Sequence, residues 1–286
     1  MNRTNNRQTT CNFWKIENGA AVPIDHGTKT IEETSRFTPI GSYTSFRTYD
    51  RFGVLRLTKH LNRLEETSKL AGHVIRLDRE GLKKTLTDLI KDSEPGEKRI
   101  RVTIDLEKEI GALYIAMEPL IVPAEEKYRD GIICMTAKAH RDNPKAKLSN
   151  FLSRAEGIRK QETAAFDEIL MYKDPGELLE GLSSNFYGVI GDTVYTAEEG
   201  VLSGTTRDFI LHLAKEMEIP VIFEPVRLSD LGTLDESFIS STSRSVLPIR
   251  SIDGICMRKE VPGPVTSRLM EKFRKEVLAN IERLDE

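Results

Sequence analysis

The sequence lacks any long apolar run. Its apolar stretches, such as the one within residues 131–135, are only a few residues long, whereas a transmembrane helix needs roughly 20 apolar residues. The polar first ten residues lead into no apolar segment of the kind found in a secretory signal peptide. We therefore expect a protein that neither crosses nor binds a membrane and that works in the cytoplasm.

Cysteine is scarce. Cys11, Cys134 and Cys256 are far apart, odd in number, and include no Cys-x-x-Cys pair. A disulfide framework uses an even set of cysteines, and a zinc cluster uses closely spaced ligands. We expect neither of these, and we predict no metal site and a reducing compartment.

Charge of one sign is not in excess either. The 42 Lys and Arg residues oppose 45 Asp and Glu residues, which gives a formal net charge of −3. Binding to nucleic acid or to an anionic membrane depends on a strong positive field, so neither is an expected partner. The 19 glycines and 12 prolines are ordinary numbers and exclude collagen-like and low-complexity classes.

The apolar content is sufficient for a sizeable core. Hydrophobic residues make up 38% of the 286 residues, and a chain of this length is expected to form about two domains. We place a polar arm, disordered or appended, over residues 1–10. A small α+β domain is predicted over residues 11–121 and a larger domain over residues 122–286.

Hydrophobic spacing and turn residues predict the elements of the small domain. The predicted elements are a strand over 13–16 that enters the Asn18-Gly19 turn, a hairpin joining 42–49 to 54–57, a helix capped by Thr58 and ending at Gly72, a helix over about 79–91, and strands over 99–106 and 111–117.

The larger domain is predicted to contain short strands with interspersed helices, which is typical of a mixed or barrel-like architecture. Its predicted strands cover 132–136, 168–172, 185–190, 193–196, 221–225 and 236–240, and its predicted helices cover about 150–164, 206–217 and 265–283.

Residues 200–208 are the most informative stretch for chemistry. A glycine turn there meets the start of a predicted helix, where backbone N–H groups and the helix dipole favour a bound phosphate, and Thr205 and Thr206 add hydroxyl groups. Arg63 is a candidate guanidinium clamp for the same phosphate. The alternatives are a well-capped helix with nothing bound and an ordinary surface arginine.

Three further positions carry reactive or polar groups with open interpretations. Lys147 is either a desolvated amine able to form a Schiff base or part of a solvated basic stretch with its neighbouring lysines. Glu180 either pairs with a buried cation or caps a turn. The hydroxyl-rich loop over residues 240–243 suits anion binding or simple turn formation.

The order of these segments resembles that of the fold-type-IV enzymes that depend on pyridoxal 5'-phosphate (PLP), also called class IV aminotransferases. The family includes branched-chain aminotransferases, D-amino-acid aminotransferases and aminodeoxychorismate lyases. The resemblance spans about residues 14–273. The segments that carry it are the hairpin and helix over Tyr43–Arg63, Lys147-Leu148-Ser149-Asn150, Glu180-Gly181-Leu182-Ser183-Ser184-Asn185, Gly204-Thr205-Thr206-Arg207-Asp208 and the stretch Ser240–Ile249.

The resemblance implies a role for each matched residue. Lys147 would carry the cofactor as an internal aldimine and move the proton between the substrate and the cofactor, and Glu180 would hold the pyridine nitrogen. The phosphate would be bound by Arg63, Thr205, Thr206 and Thr242. Tyr43 would line the substrate pocket.

The resemblance also implies an overall fold and assembly. The fold class would be α+β in two domains, with a small α/β sandwich-like N-terminal domain and a larger pseudo-barrel C-terminal domain. A homodimer is implied as well.

The substrate end of the family pattern is not matched. We find neither the Arg-Pro-Leu strand of the branched-chain enzymes nor the Arg and His pair of the D-amino-acid enzymes, and Leu148-Ser149 departs from the lyase pattern. Candidates for binding the substrate carboxylate are Arg36, Arg47, Arg101 and Arg244, each of which could instead form a structural ion pair.

The leading hypothesis is therefore an aminotransferase that moves an amino group between an amino acid, either branched-chain L or D, and a 2-keto acid. The alternative is a PLP-dependent 4-amino-4-deoxychorismate lyase. A third hypothesis is a binding or regulatory relative without turnover, against which the presence of Lys147, Glu180 and Arg63 argues.

Overall fold

The computed structural model describes residues 11–25, 27–161 and 166–286, apart from the side chain at position 161. The arm predicted over residues 1–10 and the end of the helix predicted over 150–164 lie outside the described residues. The helices are α1 Leu57–Leu70, α2 Arg79–Lys91, α3 Glu125–Asp130, α4 Asn150–Gln161, α5 Thr205–Glu216 and α6 Pro264–Glu276, with 3-10 turns at Glu33–Arg36, Leu228–Thr233 and Leu278–Asn280.

The strands, numbered in chain order, are short and alternate with these helices. They are β1 Asn12–Glu17, β2 Ala20–Pro23, β3 Gly41–Arg47, β4 Gly53–Leu55, β5 Lys98–Asp105, β6 Leu113–Pro119, β7 Ile132–Lys138, β8 Glu168–Lys173, β9 Glu177–Gly181, β10 Asn185–Ile190, β11 Thr193–Tyr195, β12 Val221–Ile222, β13 Glu236–Ser241, β14 Ser245–Ile252, β15 Ile255–Cys256 and β16 Ile281–Arg283. None of the helices among the described residues combines the length and the apolar character needed to cross a bilayer.

The chain divides into two compact units. Of the described residues, the first unit comprises those within 11–121, 147–156 and 281–286, and the second comprises those within 122–146 and 157–280. The longest segment of the first unit ends at residue 121. Two later segments nevertheless belong to it, and the segment 147–156 brings Lys147 into the first unit.

The first unit is built on a five-stranded antiparallel sheet in the order β2-β1-β6-β5-β3. Alternate residues of each strand point to opposite faces, so Ile100, Val102 and Ile104 of β5 share one face. They form a core with apolar residues of α1 and α2, including Leu64 and Leu86. The opposite face carries Arg99, Arg101 and, on β3, Tyr43.

Two local predictions in this unit are wrong. Helix α1 begins at Leu57, and the residue that caps it is not Thr58 but Glu282, whose Oε2 accepts hydrogen bonds from Thr58 N at 2.9 Å and from Thr58 Oγ1 at 2.5 Å. The predicted hairpin is reduced to one antiparallel bridge between Tyr49 and Gly53, and along its length β4 pairs with β16 instead of β3. Strand β3 is already paired with β5 along its length and with Leu148 at its start.

The end of the chain explains both differences. The helix predicted over 265–283 ends at Glu276, and β16 follows. Leu284 is buried in the core of the first unit, and its carbonyl oxygen accepts a hydrogen bond from Thr87 Oγ1 at 2.9 Å. Burial of Leu284 stabilises an extended conformation that the helical spacing of the preceding residues does not indicate.

The second unit contains a closed ring of six strands. Strand β7 pairs with β8, β8 with β9, β9 with β10, β10 with β13, β13 with β14, and β14 again with β7. Strand β9 is absent from the sequence-based prediction, and it is the strand that closes the ring through the Glu180–Asn185 pair. The expectation of a two-domain α+β protein with a barrel-like larger domain is confirmed.

An ion-pair network lies on the face of the first-unit sheet opposite the helices. Arg99 donates to Glu32 at 2.6 Å and to Glu118 at 3.0 Å, and the buried guanidinium of Arg101 lies 3.8 Å from Glu32. Burial alone would raise the pKa of Glu32, but the charges of Arg99 and Arg101 prevail and lower it to about 2.

We predict that this network stabilises the protein only while Glu32 is ionised. Because its pKa is lowered in the folded state, the stabilisation is present above the ordinary value of 4.5 and is lost as the pH falls toward about 2. The free energy of unfolding, measured by urea titration at a series of pH values, should therefore fall less steeply in Glu32→Gln than in the wild type. A difference between the two proteins that stays constant through this pH range would contradict the prediction.

Candidate functional site

The residues singled out for chemistry fall into two groups, one in each unit. Lys147, Arg63 and Tyr43 belong to the first unit. The second unit holds Glu180 and three threonines, Thr205, Thr206 and Thr242.

Lys147 is held by backbone pairing beside the start of β3. Its carbonyl oxygen accepts a hydrogen bond from Tyr43 N at 2.9 Å, and its own N–H donates to Thr67 Oγ1 at 3.2 Å. The Lys147 Nζ lies 5.0 Å from the centre of the Tyr43 ring, within cation–π range. The amine is thus half-buried and positioned against an aromatic face.

Arg63 is part of a hydrogen-bonded series on α1. Its Nη2 donates to Thr44 Oγ1 at 3.1 Å and lies 3.3 Å from His60 Nδ1, and Thr44 Oγ1 lies 2.7 Å from the same nitrogen. Burial, with the positive charges of Arg63 and Lys147, lowers the pKa of His60 well below 6.5. His60 is therefore neutral, and because arginine can only donate, its Nδ1 is the acceptor.

A stripe of polar side chains on α1 explains the position of Arg63. His60, Thr67 and Ser68 face the sheet with Leu64 at helical spacing, and all of them are buried. Ser68 Oγ lies 2.8 Å from Ser42 Oγ. The contact between α1 and β3 is therefore hydrogen-bonded as well as apolar, which restricts the helix to one rotational setting.

Glu180 is a buried carboxylate with defined partners. Its Oε1 accepts a hydrogen bond from Arg141 Nε at 2.6 Å, and its Oε2 accepts from Asn185 Nδ2 and from Leu202 N, both at 3.1 Å. The residue is 2% exposed. Burial of a charge is costly unless it is paired and hydrogen-bonded, and Arg141 supplies the opposite charge.

The turn after Glu180 depends on a glycine. A Cβ at position 181 would lie 2.2 Å from Ser184 Oγ and 3.1 Å from the Glu168 carboxyl carbon. The Gly181 N–H donates to Ser184 O at 2.8 Å, which closes the turn. A side chain at position 181 would force Ser184 and Glu168 to shift, which favours glycine and accounts for the Glu-Gly pair in the sequence.

The start of α5 is fixed relative to Glu180. Asn185 Nδ2 donates to Leu202 O at 2.9 Å, and a Cβ at Gly204 would lie 2.7 Å from Asn185 Oδ1. The first helical bond of α5 runs from Asp208 N to Gly204 O. The N–H groups of Thr205 and Thr206 therefore have no acceptor within the helix, which is the arrangement that favours an anion.

Thr242 lies in the turn between β13 and β14. The turn occupies residues 242–244 and the Thr242 side chain is half-buried. Ser240, two residues before Thr242, is the register partner of Asn185. The Thr242 turn and the Glu180 turn thus flank the same end of β10.

The chain is similar in sequence to a known protein family over most of its length. The sequence model of the family Amino-transferase class IV matches residues 41–252, well over half of the chain. The chain belongs to the class IV aminotransferases. The predicted family and the predicted class of enzyme are confirmed.

Individual relatives agree with this membership. A protein of Methanocaldococcus jannaschii named "Putative branched-chain-amino-acid aminotransferase" is 29% identical over 254 residues, which are 82% of this chain and 86% of that protein. The crystal structure of a "putative branched-chain amino acid aminotransferase" from Thermotoga maritima has a TM-score of 0.77 at 25% identity, and the match covers 94% of this chain and 96% of that one. A branched-chain aminotransferase from Thermobaculum terrenum, solved in its PLP form, has a TM-score of 0.77 at 20% identity, covering 97% and 99% of the two chains.

The four arginines considered for the substrate carboxylate all have partners within their own unit. Arg36 pairs with Glu156 at 2.5 Å, and Arg47 pairs with Glu97. Arg101 donates to Ile31 O at 2.9 Å, and Arg244 pairs with Glu168 at 2.7 Å. Arg36, Arg47 and Arg244 thus form ion pairs, and Arg101 combines its backbone hydrogen bond with the 3.8 Å contact to Glu32.

Sequence reasoning missed two side chains, Arg141 and Thr44, that hold the candidate site residues of this class IV aminotransferase. Arg141 pairs with Glu180 although 39 residues separate them. Thr44 and His60 orient Arg63 from different elements. Period-two alternation along β3 could have placed Thr44 on the face that carries Phe46, but no signal in the sequence pairs Arg141 with Glu180.

We predict that His60 acts through its Nδ1 acceptor. The side-chain oxygen of His60→Asn can take the place of Nδ1, whereas that of His60→Gln lies farther from the backbone and leaves Thr44 without its acceptor. His60→Gln should lower the free energy of unfolding by about 1–3 kcal/mol, the typical cost of a buried unsatisfied group, and His60→Asn by less. Chemical denaturation at pH 8 measures both, and equal losses in the two variants would contradict the assignment.

The same residue predicts a pH dependence. Because the pKa of His60 is lowered in the folded state, the unfolded chain binds more protons below about pH 6.5 and the wild type loses stability there. The Asn variant lacks this group, so its stability should fall less between pH 7 and pH 5.

Proposed function

We propose that this class IV aminotransferase uses PLP to move an amino group between a branched-chain L-amino acid and a 2-keto acid. The observation that carries the proposal is the buried Glu180 carboxylate, held by Arg141, Asn185 and the Leu202 N–H. A buried carboxylate that is fixed in place beside a positive charge is a suitable acceptor for a protonated pyridine nitrogen.

The chemistry of the donor groups fits PLP. The first-turn N–H groups of α5 suit a phosphate, and Gly204, the residue before them, is held against the Asn185 side chain. Arg63 and the hydroxyl of Thr242 add a positive charge and a further donor for the phosphate. Lys147 presents a half-buried amine to bond with the aldehyde. The Thermobaculum terrenum relative, which shares the fold, was solved in its PLP form.

Each residue then has a defined task. When bound, PLP supplies an electron sink that stabilises the carbanion left when the Cα proton is removed. The Nζ of Lys147 would take that proton from the substrate Cα as general base and would then donate it as general acid. Glu180 would hold the pyridine nitrogen through a charge-assisted hydrogen bond. Tyr43 supports the amine of Lys147 through its ring face.

The relatives and the arginine contacts support an apolar substrate. The Methanocaldococcus jannaschii and Thermotoga maritima proteins carry branched-chain names. The candidate arginines already contact a carboxylate or a carbonyl of this chain, so they do not call for an acidic side chain on the substrate. These arginines are Arg36, Arg47, Arg101 and Arg244. We also propose a cytoplasmic homodimer; light scattering of the purified protein would test the dimer.

The test of this function is a half-reaction with the purified enzyme. Adding L-leucine, L-isoleucine or L-valine without a keto acid should convert the absorption of the bound cofactor from the aldehyde form to the amine form, and 2-oxoglutarate should restore it. Lys147→Ala should abolish the conversion, whereas Lys145→Ala, at an exposed neighbouring lysine, should retain it. Borohydride reduction and peptide mapping should place the pyridoxyl group on Lys147.

Two outcomes would overturn this assignment. Conversion by D-amino acids only, run as a parallel panel, would reject the L-branched-chain substrate. Absence of conversion by any amino acid, with formation of pyruvate and 4-aminobenzoate from aminodeoxychorismate, would establish the lyase alternative in its place.

We predict that Glu180→Gln retains bound PLP but removes the Cα proton more slowly. Loss of a charge-assisted hydrogen bond of about 1.5–3 kcal/mol corresponds to a rate loss of about 10- to 150-fold. Stopped-flow measurement of the half-reaction gives this rate. Glu177→Gln, on the same strand but partly exposed and paired with Lys173, is the matched control and should react at the wild-type rate. Equal rates for wild type and Glu180→Gln would reject the role of Glu180.

A further inference from the structure

Arg244 is fixed at both its backbone and its side chain. Its Nη2 donates to Glu168 Oε2 at 2.7 Å and to Ser183 Oγ at 2.8 Å, and its Nε donates to Ser241 Oγ at 3.0 Å. Its carbonyl oxygen accepts from Tyr128 Oη at 3.1 Å. A guanidinium with these partners holds the turn over residues 242–244 in one position.

Glu168 is the buried partner of this arginine. It lies on β8, is 3% exposed, and its Oε2 also accepts hydrogen bonds from Ser183 Oγ at 2.9 Å and Ser184 Oγ at 3.0 Å. Burial would raise the pKa of Glu168, but the charge of Arg244 lowers it. The carboxylate therefore stays ionised and joins two turns through a single oxygen.

One of these turns follows a proposed cofactor contact and the other contains one. The turn over residues 182–184 follows Glu180, and the turn over residues 242–244 contains Thr242. Both adjoin Asn185, which is the register partner of Glu180 on one side and of Ser240 on the other. Strand β10 pairs with both strands from which the two turns leave. The Glu168–Arg244 pair connects the turns through side chains, since Glu168 accepts hydrogen bonds from Ser183 and from Arg244.

We propose that Glu168 and Arg244 are a positioning pair that sets the Thr242 hydroxyl for the PLP phosphate, a role that rests on the proposed function. Arg244 accordingly is not the residue that binds the substrate carboxylate. Pre-organisation of a turn in its ligand-bound conformation increases affinity because less ordering is required on binding. The pair thus acts on the phosphate through Thr242 and touches neither substrate nor cofactor.

The experiment compares PLP with pyridoxal, which lacks the phosphate. The variant is Glu168→Gln with Arg244→Leu, since removing both charges leaves no unpaired charge buried and allows the protein to fold. Arg244→Lys retains the charge but not the planar fork. Glu118→Gln with Arg99→Leu makes the same two changes in the first-unit ion-pair network, where Glu32 keeps Arg101 as a charged partner, and serves as the control. Equilibrium dialysis of each apo-protein gives both dissociation constants, and chemical denaturation gives its stability.

The expected result is selective. The double variant should bind PLP about tenfold more weakly, or about 1.4 kcal/mol, while its affinity for pyridoxal stays at the wild-type value. Arg244→Lys should recover part of the PLP affinity, and the control pair should bind both ligands as the wild type does.

Three results would overturn the inference. Unchanged PLP affinity in the double variant would leave the pair with a purely structural role, and equal losses for PLP and pyridoxal would indicate general damage to the fold. A raised KM for the amino acid with unchanged PLP affinity would assign Arg244 to the substrate carboxylate. Absence of PLP binding by the wild type would instead reject the proposed function itself, and with it this inference.

Discussion

The contact on which the second unit depends is the pairing of Glu180 with Asn185. It is the register pair that joins β9 to β10 and so closes the six-stranded ring, and it is also a side-chain hydrogen bond of 3.1 Å. Asn185 in turn binds Leu202 O, which sets the residues leading into α5. Closure of the barrel and placement of the Glu180 carboxylate therefore depend on the same two residues, Glu180 and Asn185.

The first unit uses a comparable arrangement with different elements. Helix α1 is fixed on β3 by buried hydrogen bonds through Thr44, His60 and Ser68 as well as by its apolar stripe. Arg63 projects from the same helix, and Thr67 of that helix accepts the backbone N–H of Lys147. Helix α1 therefore helps to position both the amine of Lys147 and the guanidinium of Arg63. The first turn of this helix is held by Glu282, near the end of the chain.

Sequence reasoning succeeded where the determining interactions are local. The Asn18-Gly19 turn, helix α2 and the β5–β6 hairpin follow from residues within one element or one turn. The Glu180 motif is also local, since Gly181 is required by an atom only three residues away. Sequence reasoning failed where the partner of a residue lies far along the chain, as for the cap of α1 by Glu282 and for the pairing of β4 with β16. Arg141 was missed for the same reason, because nothing near it in the sequence identifies Glu180 as its partner.

Buried ion pairs of the second unit are better explained by function than by stability. Glu180 with Arg141 and Glu168 with Arg244 each place a carboxylate at about 2% side-chain exposure against a guanidinium. Replacing such a pair by well-packed apolar residues is often neutral or stabilising, because desolvation offsets the Coulomb attraction. Both carboxylates belong to strands that adjoin the closing seam, and both bind residues of the turn or strand that follows Glu180. Their common consequence is a fixed set of charges and hydroxyls around one end of β10, which an apolar core of equal stability could not provide.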